Sequence, residues 1–479
     1  MRTILRGVLM LLSVALCSYK LFETTVGESG CYDEGISVIP AAGGGWLVSG
    51  AYNCEGSAAA WKSYLVRLDA QGDTLSIQRD LPFNGIMKQT SDGNLIFAGG
   101  NHAGFTYDTA MIFKTTFSGE LIWKKNIFGS YCAHQLTDIL PLADGFLITG
   151  NYAQSSCTSP VYDCYIAKLD TNGNLLWNYD VKNAGNDQLH AVRITKDNKI
   201  AAFGWTENKT TSDDADYLLV KLDENGNELW LKTFGDNNDN FGYGMDITPD
   251  NGFILNGHSA TMDVMRLDED GKLLWSNFFT ETCGGRYFKA LASTDGGFVF
   301  TGSEQGANGQ CTAALIKTTG SGKICWKKNF KGVLRDVIEN NPGSFTLTGY
   351  QAYLPQLYVA GFDTTTLSKA ERMESAETFT NSSELFSTAE TPTGSETVKP
   401  ESIHRAYPNP AENFVTIEFE NPRHDTYHLE IFDASGKTVV NELLQTERAT
   451  VNGTSMAKGL YAYRLAGGAN IFYGKILFQ

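Results

Sequence analysis

The sequence predicts an all-β chain: a seven-bladed β-propeller, then a flexible linker, then a small Ig-like β-sandwich. Three observations lead there. A turn phrase recurs, as "LDTNGNLLW" at 169–177, "LDENGNELW" at 222–230 and "LDEDGKLLW" at 267–275. A second phrase alternates with it and ends at Gly50, Gly99, Gly150, Gly204, Gly257, Gly302 and Gly349. After residue 402, short strand-like runs return behind a stretch with no apolar pattern.

The turn phrase comes first. An apolar run ends, an Asp-to-Gly tetrapeptide follows, and a second apolar run begins. Asp at the first position and Gly at the fourth suit a type I turn whose Gly is left-handed. The phrase is therefore a hairpin connection. Looser copies start at Leu68, Thr115 and Thr318. The Asp-Asn-Gly content also suits a calcium loop, but the full ligand pattern with its distal Glu is missing, and no metal is expected.

The second phrase sets the period. Its copies, such as "DGFLITG" and "DGGFVFTG", stand 45 to 54 residues apart. A short strand such as "AVRIT" precedes each, so a unit holds about four strands, the signature of a propeller blade. Unit seven lacks a clear fourth strand. The segment "LFETTVGESGCYDEGISV", early in the chain, has the phase of a fourth strand leading into unit one. Residues near 21–26 are expected to complete blade seven and remove its open edge.

The ends define compartment. Arg2 and Arg6 precede an apolar run from Gly7 to Leu16, so residues 1–18 read as a signal peptide, too short to span a bilayer. Cys17 also allows a lipoprotein reading, although Leu16 stands where a small residue is expected. The propeller then covers 19–368. A net charge of −16 argues against a nucleic-acid partner.

Nine cysteines become eight without Cys17, and an even count in an exported chain suggests disulfides. Cys31, Cys132 and Cys283 each stand just before a first strand. Cys54, Cys157 and Cys311 each follow a second strand. Those two connections share one face of a blade. The expected pairs are Cys31–Cys54, Cys132–Cys157 and Cys283–Cys311, with Cys164 competing for Cys157. Cys325, beside Trp326, is expected as a buried thiol.

Residues 369–402 are rich in Ser, Thr and Glu and cannot bury a core, so they read as a flexible linker. From 403 to 479, "NFVTIEFE", "YHLEIFDASGKTVV" and "GLYAYRLAGG" read as strands of a small sandwich. "AYPNPAENFVTIEF", "LEIFDASGKTVV", "GLYAYRL" and the final "KILFQ" together resemble the type A C-terminal sorting domain of the type IX secretion system. The resemblance implies export across the outer membrane, with the secretion machinery and its sorting protease as partners. It also implies release of the cargo or its attachment to surface lipopolysaccharide. The matching residues are Pro408, Asn409, Pro410, Gly459, Tyr461 and Lys475.

Chemistry is sparse. No HExxH, GxSxG or phosphate-binding loop is present, and no cofactor is expected. Trp123, Trp177, Trp230, Trp275 and Trp326 share one repeat position and are assigned to blade packing. One face should carry tight turns and the other longer, varied connections, the usual mounting for a binding site. Tyr52, Tyr152, Trp205, His258 and Tyr350 follow the recurrent Gly on that side and are the candidate ligand contacts. The leading expectation is an exported, non-catalytic propeller that binds a glycan or a protein. The alternatives are an exported propeller enzyme, either polysaccharide-cleaving or a quinone-dependent dehydrogenase, and a spacer that binds nothing small.

Overall fold

A computed structural model describes residues 22–28, 30–41, 43–55, 61–81, 85–100, 110–127, 134–153, 161–181, 185–207, 215–235, 239–259, 262–279, 289–305, 311–351, 356–364, 404–407, 414–419, 426–432, 438–444, 448–454, 456–467 and 470–478. The expected signal peptide and linker lie outside these residues.

Seven four-stranded antiparallel sheets follow one another along 22–363. Blades one to six span 32–81, 86–126, 134–181, 187–234, 241–279 and 290–330. Blade seven takes three strands from 333–363 and its fourth, Phe22–Val26, from the other end of the chain. That strand pairs antiparallel with Leu357–Asp363, from Phe22 opposite Gly361 to Val26 opposite Leu357. The ring thus closes by the N-terminal strand. Without it, Leu357–Asp363 would expose an unpaired row of backbone groups.

The turn phrase is built as its residues dictate. In blade four, Asp223 O accepts the Gly226 N–H at 3.1 Å, and Asp223 N donates to Asn227 O at 2.8 Å. The Asp223 carboxylate then caps the turn, since its Oδ1 accepts the N–H groups of Asn225 and Asn227, each at 2.9 Å. Asp69, Asp170 and Asp268 do the same in their blades. The Asp side chain is consumed by turn amides, which explains its place without a cation. Thr116 and Thr319 substitute a hydroxyl in blades two and six.

The glycine of the phrase answers to the tryptophan of the preceding blade. Gly226 has φ +85°, and a Cβ there would sit 2.7 Å from the Trp177 ring. Trp123 covers Gly173, Trp230 covers Gly271 and Trp275 covers Gly322 in the same way. At the closure, Phe22 takes the tryptophan's place and lies over Gly72 of blade one. Indoles at this repeat position also meet the second phrase edge-on. Trp123 touches Phe146, Trp230 touches Phe253 and Trp326 touches Phe345, at centroid separations of 6.3, 6.1 and 5.8 Å. Blades three, four, five and six thus each receive the preceding blade's ring on the turn glycine, while Gly119 of blade two meets Gln78 instead.

The tail strands form a second unit. His404–Tyr407, Phe414–Phe419 and Arg448–Asn452 make one sheet, and Tyr427–Phe432, Thr438–Leu444, Gly459–Gly467 and Asn470–Phe478 the other. Both sheets feed one core, in which Val415, Ile417 and Val451 join Leu429, Ile431, Tyr463 and Ile476. This is a small β-sandwich.

The interlock makes a quantitative expectation. Gly93 also has positive φ, +80°, but its Cβ would meet nothing within 4 Å. Gly93→Ala should cost about 1 kcal/mol, from backbone strain alone. Gly226→Ala adds an overpacking cost and should reach about 3 kcal/mol. That excess should vanish in a Trp177→Ala background. Denaturant unfolding of the four variants measures it, and an equal cost at both glycines would remove the indole from the account.

Candidate binding face and sorting domain

The two faces of the ring differ. One carries the Asp-capped turns and the connections from first to second strands, closed by bonds such as Gly93 N to Thr90 O at 3.0 Å. The other carries the connections that leave second strands and enter first strands. On that face, residues 56–60, 101–109, 154–160, 208–214 and 306–310 lie outside the described residues.

Cys31 and Cys54 form a disulfide on this face of blade one. Cys132, Cys157 and Cys283 lie outside the described residues, and of Cys311 only the backbone is described. Cys164 is a buried free thiol. Cys325 is half-buried rather than buried, because it sits on an outer strand, Ile324–Phe330, with one side open. Glu28 lies close to Cys31 and Cys54, but both sulfurs are spent in the disulfide and are not ligands.

The five candidate rings do not converge. Tyr52, Tyr152 and Trp205 are buried at 7, 7 and 8% exposure. Tyr52 donates to Asp80 Oδ1 at 2.9 Å beneath the Arg79 guanidinium. Tyr152 packs against His134 and Tyr165. Trp205 stands edge-on to Phe241 of the next blade. His258 and Tyr350 are half-buried, and Tyr350 meets Tyr32 of blade one at 5.6 Å.

The channel lining was not singled out from the sequence. First strands of neighbouring blades contact one another and so form the inner wall. Asp138 of blade three accepts the Val192 N–H of blade four at 3.1 Å and pairs with Arg193 at 2.8 Å. Arg193 also reaches Asp246 of blade five at 3.6 Å, and Asp246 accepts the Ala292 N–H of blade six at 2.9 Å. Lys289 of blade six lies 4.0 Å from Asp336 of blade seven. Asp336 in turn accepts Val38 N–H and Ser37 O–H of blade one, and Ser37 Oγ also lies 3.0 Å from Met87 O of blade two. The signal was present as "TDIL", "MDIT" and "RDVI", an Asp ahead of a β-branched residue in alternate blades.

These charges are enclosed by protein yet wetted, with Arg193 and Lys289 side chains 22% and 25% exposed. Burial pushes the Asp138 carboxyl up, but Arg193, Lys289 and Lys88 overcome it and hold it below the usual range. Burial lowers the Lys289 ammonium against the pull of Asp336 and Asp138. His190 packs at a tilt against Tyr243, 5.0 Å between centroids, in the same region, and burial with the nearby Lys289 lowers its imidazole to about 4.

The sorting residues take ordinary places in the sandwich. Gly459 opens the strand Gly459–Gly467, opposite Phe478. Tyr461 donates to Ala457 O at 2.7 Å and stands edge-on to Phe478. Lys475 pairs with Ala462 through the backbone. Pro408, Asn409 and Pro410 lie outside the described residues.

Residues 405–479 match the family described as secretion system C-terminal sorting domain. That domain indicates export by the type IX system to the cell surface or the medium. No curated protein matches the chain. Among solved structures, it is similar to a protein of unknown function from Dyadobacter fermentans, at 9% identity and TM-score 0.43, over 71% of this chain and 97% of that one. It is similar to another of unknown function from Bacteroides caccae, at 11% and 0.38, over 62% and 94%. The β-propeller domain of the Trilobed protease from Pyrococcus furiosus follows at 11% and 0.42, over 73% and 100%.

Two outcomes are expected here. His134 and His190 are held at about 4, below the ordinary 6.5, so the stability they contribute is present above pH 6.5 and is lost as pH falls toward 4. Asp33 is the reverse case. Burial raises its carboxyl from 3.8 to about 6, so its favourable contribution is present below pH 3.8 and lost as pH rises through 6. Asp33→Asn keeps an acceptor for the Glu28 N–H, and should raise Tm at pH 7.5 by roughly 2 °C while changing little at pH 4. Equal shifts at both pH values would contradict this.

The second concerns export. In a type IX-competent host, truncation after Thr397 should leave a folded propeller in the periplasm. Residues 403–479 fused to a periplasmic reporter should carry it to the surface or medium. Immunoblots of cell fractions decide it, and a truncated propeller at the surface would refute it.

Proposed function

We propose that this chain is an exported, non-catalytic binding propeller whose varied face engages a glycan or a protein. The type IX machinery delivers it, and the sorting protease removes the tail within the linker, where extended chain is accessible. Surface lipopolysaccharide is the attachment point if the propeller is retained.

One observation supports the reading above the others: the asymmetry of the two faces. One is sealed by capped turns in blade after blade, and the other gathers the long, dissimilar connections. A rigid scaffold carrying variable connections is how binding sites are mounted. The channel carboxylates fit the same reading, since Asp138, Asp246 and Asp336 are each spent on a neighbouring blade. A polysaccharide-cleaving reading draws on His190, a neutral imidazole beside Tyr243 and Lys289.

Arrays of glycans and peptides, probed with residues 19–368, should give a saturable ligand. Reducing-end and unsaturation assays on the same polysaccharides should stay at background. Turnover that disappears in His190→Ala would replace binding by catalysis.

A further inference from the structure

Blades seven and one meet on the varied face through an aromatic cluster that the five candidate positions only touch. Tyr32 begins the first strand of blade one, and Trp61 directly precedes its third strand, Lys62–Leu68. Tyr350 ends the second strand of blade seven. Tyr32 lies 5.2 Å from Trp61 and 5.6 Å from Tyr350, centroid to centroid. All three rings are half-buried, so each keeps part of its surface in water. They contrast with Tyr52, Tyr152 and Trp205, which are closed off by packing.

The polar groups under the rings are balanced. The Arg335 guanidinium lies over the Tyr350 ring at 5.9 Å and pairs with Glu34 at 2.7 Å. Both charged side chains are largely covered, at 14% and 9% exposure. Burial and the neighbouring Tyr350 hydroxyl raise the Tyr32 phenol, so it stays a neutral donor and acceptor at physiological pH. The cluster therefore offers apolar ring surface and uncharged hydroxyls, with the Arg335 charge beneath it already neutralised.

The cluster is also held in place. Cys31 precedes Tyr32, and its disulfide to Cys54 ties the start of blade one's first strand to the end of its second, which fixes Tyr32, while Trp61 directly precedes the third strand of the same sheet. A site ordered before binding loses less entropy when its ligand arrives.

We propose that Tyr32, Trp61 and Tyr350 form a platform for a neutral sugar residue of a polysaccharide. A pyranose has an apolar face of C–H groups that packs on an aromatic ring, and an edge of hydroxyls that hydrogen-bonds to nearby polar groups. The Arg335 guanidinium beneath the rings is already paired with Glu34, Lys62 beside Trp61 is paired with Asp80, and the chain's net charge of −16 disfavours a polyanion. The assignment rests on the binding-propeller reading and names its site and ligand class.

Native affinity gels test it with the oxidised mature chain. The probes are a neutral β-glucan, xylan and galactomannan, with alginate and polygalacturonate as acidic counterparts. At least one neutral polysaccharide should retard the protein, and the acidic ones should not. Trp61→Ala and Tyr350→Ala should each weaken the retardation by about tenfold. Leu229→Ala, at an exposed site on an outer strand of blade four, should not. Tyr32→Ala should weaken retardation like the other platform variants, and Tyr32→Phe, which keeps the ring and loses only the hydroxyl, replaces it with a smaller expected loss if Tyr32→Ala fails to fold by circular dichroism. Trp61 fluorescence should shift to the blue with a matching oligosaccharide.

Equal retardation of wild type and the platform variants would overturn the platform and leave the binding reading intact. Absence of retardation by every neutral polysaccharide would overturn the ligand class. So would retardation by the acidic ones, or a proline-rich peptide whose binding is lost in Trp61→Ala. Release of reducing ends with the platform variants still weakened would overturn only the non-catalytic reading.

Discussion

The contact of one blade's aromatic ring with the next blade's turn glycine organises the propeller. Trp177 over Gly226 is one instance, and Phe22 over Gly72 is the last one needed to shut the ring. The glycine is doubly constrained, by a left-handed backbone and by the ring pressed on it. The ring in turn meets a phenylalanine from the second phrase of the same neighbour, as Trp230 meets Phe253. A repeat unit cannot bury its own tryptophan, and finds a surface for it only when another copy follows. That is why the phrase must recur and why the ring must close.

The inner wall solves the opposite problem. Near the axis the first strands crowd together, and their edges carry charge rather than hydrocarbon. Asp138, Asp246 and Asp336 each reach across to a backbone N–H of the following blade. Arg193 and Lys289 supply the countercharge. A single buried carboxylate would be costly there, whereas a linked series pairs each group on both sides. Hydrophobic interlock outside and charge relay inside together fix the blades and leave the varied face free to differ between blades.

Closure and disulfide meet at one place. The strand Phe22–Val26 belongs to blade seven, and five residues later Cys31 is bonded to Cys54 of blade one. Oxidation after export therefore fastens the connection that joins the last blade to the first. The same seam carries the half-buried rings of Tyr32, Trp61 and Tyr350, so the junction tied by the disulfide also bears an aromatic cluster. The sandwich at 404–478 stands on its own core, in which Tyr461 and Phe478 pack together.

Sequence alone determined the repeat, the blade number, the closing strand and the sorting tail. Each is written in local chemistry: an Asp-to-Gly turn, a period, a phase and an ordered set of motifs. The Cys31–Cys54 pair was legible for the same reason, since repeat positions fix which connections share a face. Tertiary structure decided what no single repeat contains. Tyr52 and Tyr152 stand two residues after the recurrent Gly and are sealed by Tyr64 and Tyr165 of their own blades, whereas Tyr350 stands one residue after its Gly and so on the opposite side of its sheet. Tyr350 instead meets a ring from across the seam. The channel relay joins residues about 50 positions apart, Asp138 to Arg193 among them, and its last link spans nearly 300, Asp336 to Val38. Exposure and charge pairing depend on neighbours brought together by closure, and a repeat read by itself has no neighbours.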